Sequence, residues 1–338
     1  MSTMNIKTLA RELKLSVSTV SKALRDSYEI SQETKEKVIA AAKKMNYVPN
    51  PYASSLRKRK SKTIAVVLPE VADSFFSQAI NGIDSIAQDK GYHVLIYLTH
   101  ENFIREQEIL NEFKSGRVDG ILVSVTQETP DGQHIGEAVE AGIPVVFFDR
   151  VCSDIETARV VTDDFESGYR AATHLVEVGC RNIYFLAVSP SLSISNARLD
   201  GVRKALGESG TPFSDRHTII CTAEADSNRS LVRDLLAHDD RPDGIIASVE
   251  KLTTPVYLAC RDLSLNIPRD VKVISFTNLQ TAQILDPPLT TITQPAFEMG
   301  RRAATVLFGA IGKPNATGKQ ETIVIPSVLT VRGSTQEA

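Results

Sequence analysis

The chain has 338 residues, 42% hydrophobic and 23% charged, the balance of an ordinary folded protein with length for two or three domains. Its apolar runs, such as 63–68 and 145–148, fall far short of the roughly 18 residues that a membrane span needs. No apolar segment follows the first methionine, so a cytoplasmic protein is expected rather than a secreted or membrane one. Cys152, Cys180, Cys221 and Cys260 show no CxxC spacing and the six histidines form no HxxxH pair, so no metal, redox dithiol or other cofactor is expected.

The net charge of −3 conceals a split. Residues 1–62 hold 14 Lys+Arg against 5 Asp+Glu, a net of +9, whereas the rest hold 24 against 36, a net of −12. A short basic head on a long acidic body points to a polyanion-binding module joined to a part that binds something else.

Three short helices are expected in the head. Residues 6–13 place Ile6, Leu9, Ala10 and Leu13 on one face. Residues 17–24 follow a Ser16 cap with Val20, Ala23 and Leu24 inward, and 32–45 follow a Ser31 cap with Val38, Ala41, Ala42 and Met45 inward. Residues 46–51, with two prolines and two asparagines, break the pattern. A further turn or two of helix is possible at 52–56, running into 57–62, five cations in six residues.

From Thr63 the pattern changes. Apolar, β-branched runs at 63–68, 93–98, 120–125, 144–148, 159–162, 183–188, 218–221, 244–247, 271–276 and 290–293 are mostly separated by amphipathic segments such as 76–90, 103–115, 166–179, 197–207 and 228–238. Strands spaced by such helices predict a parallel, doubly wound α/β sheet, and ten strands predict two subdomains. Residues 286–290 are expected to lead into a strand that crosses back to the first subdomain.

The first two helices with the turn at 14–16 fit a helix-turn-helix. With Val20 and Leu24 inward, Val17, Ser18, Ser21 and Lys22 face outward to a DNA major groove. Lys22 can donate to guanine, and Val17 can meet a thymine methyl. Hydroxyls and helix ends at Ser16, Thr19, Ser21 and Ser31 can bond phosphates, and Arg25 is a further phosphate candidate. Leu56 has no local core to join; it can wedge into the minor groove beside Ala53, with Arg57 and its neighbours on phosphates.

These residues resemble the lactose-repressor (LacI/GalR) family. The resemblance is carried by Ile6, Leu9-Ala10, the run from Leu15 to Leu24, Tyr47-Val48-Pro49-Asn50 and Ala53-x-x-Leu56. It resumes at Phe75-Phe76, Arg117-Val118-Asp119-Gly120, Phe148-Asp149-Arg150, Arg198-Leu199-x-Gly201, Ile267-Pro268 and Pro288-Leu289-Thr290-Thr291. It implies a regulator, commonly a repressor, whose dimer reads a pseudo-palindromic operator on double-stranded DNA. It also implies a periplasmic-binding-protein-like body with a carbohydrate effector in its cleft. A leucine-rich tetramerising tail is not seen at 332–338, which predicts a homodimer. The expected domains are a head at 1–48, a hinge and linker at 49–62, and an effector and dimerisation body at 63–338 with crossovers near 160–163, 288–294 and 320–328.

In open α/β sheets ligands sit beyond the carboxyl ends of the strands. That rule selects Phe75 and Phe76 to stack on a ligand, Asp149 and Glu250 to accept hydroxyl protons, Arg150 to pair with polar or anionic groups, and Thr277 beside them. The resemblance adds Arg198, the arginine before Leu-x-Gly, in the same role as Arg150. The chain departs from the family pattern at several places. Lys14 stands where glycine is frequent, Lys22 where arginine is frequent, Val249-Glu250 for Asn-Asp, and Ser275-Phe276-Thr277 for Gly-Phe/Tyr-Asp. A solute-binding protein has the same kind of body, as does a DNA-binding regulator that no longer senses a ligand. An enzyme is not expected. Leu68 leads into Pro69-Glu70-Val71 rather than a glycine-rich phosphate loop, the loop at 312–320 has the wrong spacing for one, and no GxSxG is present.

Overall fold

A computed structural model describes residues 5–47, 61–222, 224–313 and 321–336. The chain divides into two compact units, Met1–Ser61 and Lys62–Ala338.

In the head, α1 (Ile6–Leu13), α2 (Val17–Ala23) and α3 (Gln32–Lys44) each begin at a side-chain cap, Asn5, Ser16 and Ser31. Each cap accepts the amide of the residue three positions on, satisfying a donor that the first helical turn leaves open. Leu9, Ala10, Val20, Ala23, Val38 and Ala42 form the buried core, with Ile6, Leu13, Leu24, Ala41 and Met45 packed around it. Lys14 ends α1 in the left-handed region (φ 54°, ψ 38°). A glycine adopts that backbone without strain, whereas a side chain there costs about 1–2 kcal/mol.

The body is two lobes, each a doubly wound sheet. The first lobe holds β1 (Thr63–Leu68), α4 (Ser74–Asp89), β2 (His93–Leu98), α5 (Phe103–Phe113), β3 (Gly120–Val123), α6 (Gln133–Glu140), β4 (Val145–Phe148) and β5 (Ala158–Thr162). The second holds α7 (Asp164–Glu177), β6 (Ile183–Ala187), α8 (Ser193–Glu208), β7 (Thr218–Ile220), α9 (Ala225–Ala237), β8 (Gly244–Ala247), α10 (Thr253–Asp262), β9 (Lys272–Phe276) and β10 (Thr290–Thr293). The chain then returns with α11 (Ala296–Ala310) and β11 (Thr322–Ile325) to the first lobe and ends with β12 (Val328–Thr330) in the second.

The sheet orders are β11-β5-β4-β3-β1-β2 and β12-β10-β9-β8-β6-β7. Every ladder is parallel except β10 with β12. Apolar clusters cover both faces of each sheet, which is why β1 reads as an unbroken apolar run. Three segments cross between lobes, after β5, after β10 and between β11 and β12. The strand after 286–290, expected to cross back, instead pairs with β9 as β10 of the second sheet, and the crossing follows it. The short strands β11 and β12, and the helices α6, α10 and α11, add to the elements singled out from the sequence.

Two close helix crossings lock the lobes internally. In the first, α4 meets α11, and a Cβ on Gly82 or Gly300 would lie 2.0 Å from a backbone carbonyl oxygen of the other helix. In the second, α7 meets α8 in the same way through Gly168 and Gly201. This explains the glycine of Arg198-Leu199-x-Gly201, since any side chain would force the helices apart.

Candidate functional sites, the head and the interlobe cleft

On α2 the outward face is as expected. Val17 and Ser18 are exposed, and Ser21 and Lys22 are half-buried. Two of these four are engaged inside the head. Arg25 turns back along the helix, its Nε donating to the Ser21 carbonyl at 3.0 Å and its Nη2 to Ser21 Oγ at 2.6 Å. Lys22 Nζ pairs with Glu29 in the turn before α3. Exposed pairs of this kind are worth only about 0–1 kcal/mol, so a phosphate or guanine can displace them. Ser16 Oγ accepts the Thr19 amide at 3.0 Å and bonds Thr19 Oγ1 at 2.8 Å. Ser31 Oγ caps α3 and bonds Thr34 Oγ1 at 2.9 Å. Their role in the head is thus helix capping, with α2 and α3 N-termini exposed beside them. Ala53, Leu56 and Arg57 lie outside the described residues.

In the body, the carboxyl ends of the strands face a cleft between the lobes. Phe75, Phe76, Asp149, Arg150, Arg198, Glu250 and Thr277 all line it, together with Asp73, Asn278 and Gln294. The cavity among them is about 20 Å³, room for one or two waters.

Asp149 follows β4 with φ at 62°, a strained backbone for a non-glycine residue that turns its carboxylate into the cleft. Burial raises its pKa, opposed by Arg150, by Arg198 and by the Gln294 amide, which donates to Oδ1 at 3.2 Å. Arg198 is 1% exposed. Its Nε donates to Asp164 Oδ1 at 2.7 Å, its Nη1 to the Ser248 carbonyl at 2.5 Å, and its guanidinium carbon lies 4.3 Å from the Phe276 ring centre. Its Nη2 is buried with no hydrogen-bond partner among the described residues, as are Arg150 Nε, Ser195 Oγ and Ser248 Oγ. Of these, Arg198 and Arg150 line the cleft, and buried donors left open there mark where a ligand's acceptors belong.

Two expectations need correction. Arg150 is only partly available to a ligand: its Nε is open, 4.0 Å from Asp149 Oδ2, but its charge is already paired. Its Nη1 donates to both oxygens of Glu101 at 3.0 Å, and Glu101 itself follows a second left-handed residue, His100. Glu250 is not a free acceptor. Its carboxylate takes the Ser74 amide at 3.0 Å, the Ser74 hydroxyl, Thr277 Oγ1 at 2.6 Å and the Asn278 amide at 3.1 Å. Thr277 accordingly serves Glu250.

Asp73, which was not among the residues selected from the sequence, caps α4 by accepting the Phe75 amide at 2.8 Å. Burial, then Glu250 and Asp149, push its carboxyl up to about 7 against the Phe75 amide and Arg150. A perturbed carboxyl of this kind is characteristic of a binding cleft. Its legible signal was its place, one residue before a helix that starts beyond β1. Gln294 is part of the family pattern Pro288-Leu289-Thr290-Thr291-Ile292-x-Gln294-Pro295, but nothing local tied it to Asp149.

A helix-turn-helix head and a two-lobed body with its cleft at the strand ends define a DNA-binding regulator with a periplasmic-binding-protein-like domain. Two family models match, "Bacterial regulatory proteins, lacI family" over residues 5–50 and "Periplasmic binding protein-like domain" over 172–335. The ribose operon repressor of Bacillus subtilis (strain 168) is 32% identical over 309 residues, 91% of this chain and 92% of the relative. The chain belongs to the lacI family of bacterial regulatory proteins and is a DNA-binding transcriptional regulator. Its fold matches that of the lac repressor dimer bound to operator, with a TM-score of 0.85 at 22% identity, covering 98% of this chain and 99% of that one. A LacI family transcriptional regulator from Enterococcus faecium with bound ribose gives a TM-score of 0.71 at 25% identity, covering 80% and 98%. The relatives are regulators rather than enzymes. Among the described residues no helix is long and apolar enough to cross a membrane.

Proposed function

We propose that this chain is a homodimeric repressor that binds a pseudo-palindromic operator under control of a small polar effector, a sugar or sugar derivative, held between the lobes. The open donors of Arg198 and Arg150 beside the Asp149 carboxylate carry the effector reading. A polyol supplies both acceptors for the arginines and donors for the aspartate, and the Phe75, Phe76 and Phe276 rings offer apolar faces to its carbons. Ribose in the Enterococcus faecium regulator is of the same ligand class.

In the head, Val17, Ser18, Ser21 and Lys22 are the base-reading residues, once Lys22 leaves Glu29 and Arg25 frees Ser21. Ser16, Thr19, Arg25 and Ser31 take phosphates, and Ala53, Leu56 and Arg57 form the minor-groove hinge of the 49–62 segment. A second copy accounts for apolar side chains that the single body leaves open at two sheet edges. Leu95 and Ile96 on β2 are 39% and 45% exposed, and Ile220 on β7 is 47% exposed. Unpaired apolar edges are a liability unless something covers them. An effector shifts operator affinity only through its different affinity for the two states of the body.

The test is selection of bound sites from random double-stranded DNA by the full-length protein, followed by a salt series on the winner. A two-fold site whose log affinity falls steeply with log salt supports the reading, because two basic heads release many counterions. An asymmetric half-site, or no enriched sequence with or without a panel of sugars and nucleosides, contradicts it. Ligand-dependent melting with the same panel separates a working sensor from a body that no longer senses.

A further inference from the structure

The Glu250 carboxylate belongs to the second lobe, on the segment that follows β8, yet two of its four donors belong to the first. Ser74 is the first residue of α4, and its amide and hydroxyl both point at Glu250. Helix α4 has 16 residues, so its N-terminus presents open amides and a positive dipole end. Glu250 therefore occupies that helix end as a bound anion does, while Thr277 and Asn278 hold the same carboxylate from the second lobe. Beside it, Asn278 and Gln78 exchange two more bonds across the lobes, at 3.2 and 3.3 Å. At the far lip the Gln127 carbonyl accepts from Ser191 Oγ at 3.0 Å, and the Val151 amide donates to Ser193 Oγ at 3.3 Å.

With these contacts made, the cavity is about 20 Å³. Ligand sites for drug-sized molecules are of the order of 300 Å³ or more, and even a pentose is many times larger than one or two waters. The chain's own side chains fill the place an effector needs.

We propose that Glu250 is a resident latch that holds the two lobes closed at the α4 N-terminus, so that an effector enters only by breaking the Glu250–Ser74 bridge and competes with Glu250 for those donors. This rests on reading the cleft as the effector site, and it makes closure of the body a property of the chain that the effector opposes or replaces. The group that displaces Glu250 must itself be an acceptor (a hydroxyl, carbonyl or carboxylate oxygen).

The test needs no effector. Glu250→Asp keeps the charge and shortens the arm, so it can stay on Thr277 and Asn278 while losing reach to Ser74. Ser74→Ala removes one cross-lobe donor from the other side without touching the second lobe. Full-length wild type and both variants are compared by small-angle X-ray scattering and by hydrogen exchange. The expected result is a larger radius of gyration for Glu250→Asp, a smaller increase for Ser74→Ala, and exchange at the Ser74 amide faster by about tenfold or more in Glu250→Asp, the loss of one charge-assisted bond. Unchanged scattering and exchange in both variants overturn the latch. Exchange that rises only around Thr277 and Asn278, with no change in dimension, also overturns it, because Glu250 then serves the second lobe alone. Sugar binding is then read in the same variants with D-ribose as probe. Tighter binding in Ser74→Ala supports competition, and weaker binding refutes it. Absence of ribose binding in every protein bears on the ligand class and leaves the scattering result standing.

Discussion

Replacing Asp73 by asparagine separates the two things that Asp73 does. As the cap of α4 it accepts the Phe75 amide at 2.8 Å, a task that asparagine performs equally well. As a buried carboxyl beside Glu250 and Asp149 it is lifted from 3.8 to about 7. Between those pH values the folded body keeps a proton that the unfolded chain has released, so stability falls as pH rises. The contribution is fully present below about pH 3.8 and is lost once the pH has passed about 7. Each pH unit in that window is worth about 1.4 kcal/mol, which sets an upper limit of about 4 kcal/mol. The asparagine side chain carries no charge at any pH. Relative to wild type, Asp73→Asn should therefore gain up to about 4 kcal/mol between pH 4 and pH 8. At about 2–4 °C per kcal/mol for a body of this size, the melting temperatures diverge by up to roughly 8–16 °C. The assay is thermal melting by circular dichroism from pH 4 to 8 for both proteins in one buffer series. A difference that stays constant with pH, or that grows toward acid, refutes the reasoning.

Lys14→Gly relieves the left-handed turn between α1 and α2 and should stabilise the head by about 1 kcal/mol, raising its melting temperature by several degrees; a lower temperature would show that the turn is not strained. Gly201→Ala drives a methyl to 2.0 Å from the Phe165 carbonyl, so about 3 kcal/mol or more should be lost in urea unfolding of the body, and a neutral effect would mean that α7 and α8 part freely. Lys22→Ala should weaken operator binding by about 1–3 kcal/mol and relax preference at one base pair per half-site; a loss equal on all sequences, with a shallower salt slope, would place Lys22 on phosphate instead.

The sequence by itself determined the head helices and the first ten strands in their order, but left out β11, β12, α6, α10 and α11. Local physics suffices for that. Asn5, Ser16 and Ser31 satisfy donors within one turn of themselves, and helix or strand period alone sorts Leu9, Val20 and Val38 from Val17 and Ser18. The alternation of buried strands with amphipathic helices likewise admits a doubly wound body, and six cleft residues follow from the strand-end rule, with Arg198 added by the family resemblance. The tertiary structure alone decided what those residues are free to do. Ser74 and Glu250 are 176 residues apart, Gln294 and Asp149 145 apart, and Arg150 and Glu101 49 apart. Whether a carboxylate waits for a ligand or already holds four donors depends on which lobe faces which, and no local pattern encodes that. The same holds for Gly82, Gly168, Gly201 and Gly300, whose bare backbones make sense only against the helix that crosses them. Hydrogen bonds and contact radii act over a few ångströms in space, whereas sequence patterns act over a few residues along the chain.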